Sequence, residues 1–171
     1  MESSIFSLVI AIIAFLLSGV TLFLWLKERN TKQPKSASAD DTTRHLQLQA
    51  YERLVLFSER ISIPNLVSRL SQSGLPSARE MQMLMLESIK QEFEYNASQQ
   101  IYVSPVAWEA VKNLKEQNML LINQVASALP PDAKAIDLGK TLLEVVMNQK
   151  KGALHTIVLE ALNYEARKLM K

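Results

Sequence analysis

Apolar positions along the chain fall into two regimes. From Ile5 to Leu26 the sequence IFSLVIAIIAFLLSGVTLFLWL runs for 22 residues without a charge. At about 1.5 Å per helical residue that length spans the roughly 30 Å hydrocarbon core of a bilayer, and a helix satisfies every backbone amide internally, as lipid requires. Residues 30–43, NTKQPKSASADDTT, are polar and carry no apolar period, which predicts a flexible tether. From Arg44 onward apolar residues return at helical spacing. Ala50, Tyr51, Leu54, Phe57 and Ile61 share one face, and Pro64 interrupts that run. A short helical stretch through Leu66, Val67 and Leu70 then reaches Gly74.

The remaining elements are announced by their ends. Ser77 with Glu80 forms a capping-box pattern that opens a helix to about Ala97, and its apolar start, MQMLML, predicts a central position. Ser104 before Pro105 is the expected cap of a helix carrying Val111, Leu114, Leu121 and Val125, with Asn118 breaking the stripe, until Pro130 and Pro131 stop it. Two more helices are expected, about Ala133–Gln149 and Ala153–Met170, the last with Leu154, Ile157, Val158, Ala161 and Leu162 on its apolar face. No segment alternates long enough for a sheet. The predicted class is all-α: an N-terminal transmembrane helix, a flexible tether and a bundle of about five helices. The boundaries are a short N-terminus over 1–4, the span over 5–26, a basic flank and linker over 27–43, and a helical domain over 44–171.

Charge gives the span an orientation. MESS, ahead of it, has no Lys or Arg, whereas Lys27, Arg29, Lys32 and Lys35 follow it. Cations stay in the cytoplasm, so the domain is expected on the cytoplasmic side of a bacterial inner membrane with the N-terminus outside. The uncharged lead and the length of the run argue against a cleaved signal peptide. Trp25 suits the inner headgroup layer. Ser7, Ala11, Ala14 and Ser18, with Thr21, fall on one helical face at spacings of four and three, a candidate packing face for a second span. From Arg44 to the end there are 15 Lys and Arg against 13 Asp and Glu, interspersed, so a concentrated basic surface for nucleic acid is not expected.

Candidate chemistry is sparse. The chain has no cysteine, which excludes disulfides and thiolate sites. Its two histidines, His45 and His155, lie far apart with no E-x-x-H pattern, so neither metal nor cofactor is expected, and both read as surface or structural residues. Glu92 and Glu94 point about 200° apart on a helix and cannot act on one bond. Gly139-Lys140-Thr141 matches the tail of a phosphate-binding loop, but Lys134 stands where the loop needs glycine. The richest stretch is Phe93 to Trp108. Phe93, Tyr95, Tyr102 and Trp108 are mixed there with Asn96 and Gln99, either as a partner pocket or as a packed inter-helix junction, the junction being the simpler expectation.

The stretches LQAYERLVLFSERI, QEFEYNASQQIYVS and NQKKGALHTIVLEALNYEARKL resemble a family of small single-span proteins of unknown function from Gram-negative bacteria, over Leu46 to the C-terminus. The resemblance implies an inner-membrane setting and no catalytic residue. Together these readings favour a non-enzymatic, membrane-tethered module that binds a partner protein or a second copy of itself. The alternative is a metal-free enzyme or an accessory subunit of a membrane transport complex.

Overall fold

The computed structural model describes residues 18–27, 39–72, 74–148 and 154–170. Every regular element among them is helical; the nearest approach to a strand is an isolated bridge between Ser77 and Lys134. In the N-terminal unit, residues 18–27 form helix. Among the described residues no helix is long and apolar enough to cross a membrane. Most of the span expected over Ile5–Leu26 falls on residues 1–17, outside the described set.

Six helices follow: α1 (Ala39–Arg60), α2 (Ile63–Ser71), α3 (Ala78–Asn96), α4 (Pro105–Ala128), α5 (Ala135–Asn148) and α6 (Leu154–Leu169), with a 3₁₀ turn over Ala97–Ile101. Helix α1 begins at Ala39, inside the stretch expected to be linker. Asp41 in its first turn suits the positive end of the helix dipole, a signal that apolar periodicity does not carry. Its break at residues 61–62 follows from Pro64, which sits in the first turn of α2, where its missing N–H is no loss.

Residues 43–171 form one unit around a single core. Helix α3 packs along α4, α5 lies against both α2 and α3, and α6 lies on α4. Helix α1 contributes Leu54 and Phe57, and the break after it Ile61; all three are fully buried, each adding about 1.5–3 kcal/mol on transfer from water. The expected caps form. Ser77 accepts from the Glu80 N–H at 3.2 Å, and Ser104 accepts from the Ala107 N–H at 3.0 Å. Asn118, which breaks the apolar stripe of α4, has a structural role. Its Nδ2 donates to the carbonyl of Ile61 at 2.9 Å, satisfying a backbone acceptor at the break between α1 and α2.

Two expectations change. The MQMLML run is not buried all round: Met81 and Met85 are in the core, while Met83 and Leu84 face solvent. On α6, Val158 and Leu162 are buried but Ile157 is half exposed, because only one side of that helix meets α4. Gly139 of α5, far from cradling phosphate, marks a close helix crossing. A Cβ there would stand 3.1 Å from Val67 Cγ1 of α2 and 3.5 Å from Met81 Cε of α3.

Candidate functional site

A half-open groove of about 910 Å³ runs along the middle of α4. Asn113, Gln117, Leu120 and Gln124 contribute from α4 at helical spacings of four, three and four, so they share one face. The end of α1 and the start of α2 bring Glu59, Ile63 and Asn65, and the start of α6 brings Leu154 and His155. The wall is therefore apolar material interrupted by amides. Among the described lining residues, Glu59 is the sole acid, and neither Lys nor Arg lines the groove.

Glu59 and His155 meet in this groove although 96 positions separate them in the chain. His155 Nε2 lies 3.6 Å from Glu59 Oε2, and that nitrogen is buried with no hydrogen bond to a described group. Asn65 Nδ2 donates to the Glu59 carbonyl at 2.8 Å and lies 3.4 Å from its carboxylate. Nothing in the sequence around either residue signals the pair, because it exists only once α6 has returned to the α1–α2 break. His45, by contrast, is exposed on α1 with Gln49 Nε2 at 3.1 Å. No cluster of three metal-ligating side chains occurs among the described residues.

The stretch Phe93 to Trp108 is split between two surroundings. Phe93 stacks on Trp108 at 5.3 Å between centroids, tilts against Phe57 at 6.0 Å and has Lys115 Nζ over its ring at 4.4 Å. Asn96 is buried, donating to the Glu92 carbonyl at 2.8 Å and accepting from Arg53 Nε at 3.3 Å. Gln99 is buried in the 3₁₀ turn with its amide 3.2 Å from Ser98 Oγ. Tyr102 is half-buried at the end of that turn. Tyr95 stands apart at 74% exposure, beneath the Arg53 guanidinium. None of these six residues lines the α4 groove. Nearby, Tyr51 Oη donates to Glu165 and accepts from the Ser104 N–H at 3.1 Å. Burial, and then that bond to Glu165, raise the Tyr51 phenol above its ordinary value.

Of the other sequence candidates, Ser7, Ala11 and Ala14 lie outside the described residues, and Ser18 is exposed in the helical stretch 18–27. Glu92 forms an ion pair with Arg60 at 2.6 Å, linking α3 to α1, while Glu94 is exposed and takes no part in it.

Among the described residues, architecture and groove together define a helical bundle with a mixed apolar and amide concavity. The chain belongs to the family described as "Family of unknown function (DUF7935)", matched over residues 2–169. That match takes in the N-terminal apolar segment, a longer reach than the resemblance from Leu46 onward. No curated protein and no solved structure matches the chain.

Proposed function

We propose that the chain is a membrane-tethered, non-enzymatic helical module that binds a partner protein through the α4 groove. The tether rests on the uncharged run Ile5–Leu26 and the cations that follow it. Those cations favour a domain at the cytoplasmic face of a bacterial inner membrane, with residues 1–4 outside. The face Ser7, Ala11, Ala14 and Ser18 suits packing against a second span.

One observation carries the binding role. Between Glu116 and Asp132 the chain has no charged residue, although α4 is open to solvent there and Leu120 is 49% exposed. At the chain-wide 21% charged, about three charges are expected over such a stretch. Depletion of charge around an exposed apolar residue in a concavity is the mark of an interface core.

The test is recovery of the full chain from membranes with whatever it holds. Leu120→Lys places an ammonium in the groove without disturbing the core, so it should release the co-purifying protein while helicity is unchanged. Retention of the same partner by Leu120→Lys and by Gln117→Lys would remove the groove from the proposal. A reporter active only outside the cytoplasm, fused after Lys171, should be silent; strong activity would reverse the orientation.

A second reading, an enzyme or transport-complex subunit without metal, draws on the Glu59–His155 pair, since a carboxylate beside an imidazole can hold and pass a proton. It is favoured if His155→Gln abolishes a cellular phenotype while partner retention is untouched.

A further inference from the structure

Resting on the partner-binding reading, we infer that the α4 groove takes an extended peptide segment poor in acidic residues, its backbone paired to the amides of Asn113, Gln117 and Gln124 and a basic group directed at Glu59. Three features of the groove lead to this occupant.

The first is a set of free amides. Asn113, Gln117 and Gln124 are exposed, and none of their side-chain amides hydrogen bonds to another described group. Each side chain offers one acceptor and two donors. A peptide backbone presents the complementary alternation of N–H and C=O. A charged side chain at these positions would answer only one of the two.

The second is spacing. Asn113 and Gln117 are one i, i+4 step apart, about 6 Å along the helix, and an extended chain repeats its outward-facing backbone groups about every 6.6 Å. From Asn113 to Gln124 the helix rises about 16 Å, which matches about five residues of extended peptide. Leu120 lies between the amides and would meet side chains of the bound segment. A helical ligand fits poorly, because its backbone is already satisfied. It would cover the three amides and leave them without partners, at a cost for each.

The third is charge. Glu59 is 46% exposed, and no described Lys or Arg lines the groove with it. The adjacent Arg60 is drawn away to Glu92 at 2.6 Å. The half-exposed carboxylate lines the groove beside His155 and Asn65. A lysine, an arginine or a peptide amino terminus would add a charged donor beside Asn65, and an acidic segment is repelled.

The experiment pans phage-displayed random peptides on the full chain in lipid nanodiscs, with counter-selection on the triple variant Glu59→Gln, Gln117→Leu, Gln124→Leu. These positions are on the surface, and circular dichroism of the variant should overlay that of the natural chain. Enriched peptides should carry Lys or Arg and few acidic residues. A synthetic peptide from the selection should bind about tenfold more weakly to Glu59→Gln and to Gln117→Leu. N-methylation of alternate backbone nitrogens should weaken it by a similar factor, about tenfold. The inference is overturned by enrichment that the triple variant retains, by selected ligands that helix-favouring substitutions tighten, or by no enrichment at all. If the peptides fail while Leu120→Lys still releases the co-purifying protein, the groove docks a folded surface and the broader proposal stands. If both fail, the groove is not a binding site.

Discussion

Gly139 offers a sharp test of how the bundle is packed, because two opposing effects of known size meet there. Replacing a helix-interior glycine by alanine stabilises by about 1 kcal/mol through backbone entropy and helix propensity. The added methyl, however, would sit 3.1 Å from Val67 Cγ1 and 3.5 Å from Met81 Cε. Met81 has a flexible end that can move, whereas Val67 is β-branched and stiff, so the contact with Val67 decides the outcome. Gly139→Ala should therefore come out near zero. In a Val67→Ala background the obstacle is gone, and the same substitution should recover the full gain of about 1 kcal/mol. Gly139→Leu pushes further atoms into α2 and α3, and overpacking of this kind costs about 1–3 kcal/mol. Urea unfolding of residues 39–171, followed by circular dichroism, reads these changes. With a slope of about 2 kcal/mol per molar, a loss of about 2 kcal/mol lowers the midpoint by about 1 M. A Gly139→Leu midpoint equal to that of the natural chain would refute the close crossing of α5 over α2. So would an alanine effect that is the same with and without Val67.

Two further outcomes follow from single side chains. Asn118→Ala removes the donor to the Ile61 carbonyl and should destabilise by about 1–3 kcal/mol, whereas Asn123→Ala, whose bond to Gln82 is exposed, should stay within about 0.5 kcal/mol in the same urea measurement. Tyr51 is held above its ordinary value of 10.0, by burial first and by the bond to Glu165 second. The unfolded chain then ionises this phenol first, so its contribution is intact below pH 10.0 and is lost as pH rises through the raised native value. Thermal midpoints should fall more steeply above that pH for the natural chain than for Tyr51→Phe; parallel curves would contradict this.

What the sequence disclosed depended on the range of the interaction. Ser77 and Ser104 cap their helices within three residues, and Pro64, Pro130 and Pro131 act on their own backbone, so these ends were legible. The buried face Ala50, Tyr51, Leu54, Phe57 and Ile61 follows from the helical period alone. The start of α1 at Ala39 was hidden because its first turn is polar and leaves no apolar trace. Asn118 was visible as an interruption, but its purpose was not, since the Ile61 carbonyl that it satisfies lies 57 positions away. The groove was the least legible feature. Glu59 and His155 carry no local motif, and the exposed stripe of α4 becomes meaningful only once α1, α2 and α6 are seen to leave it uncovered. The aromatic stretch drew notice by composition, but Phe93 and Trp108 spend their rings on each other and on Phe57.

The most direct test of a docking groove is a photocrosslinking scan along α4 of the full chain in its membrane, one position at a time from Glu109 to Ser127. If a partner lies in the groove, one product of constant mass should appear at positions 113, 117, 120 and 124 and fade at Lys112, Met119 and Asn123, which do not line it. Yield against position should then follow the helical period. A uniform yield, a maximum on the other face, or no product at Leu120 would contradict the proposal that this surface binds a partner.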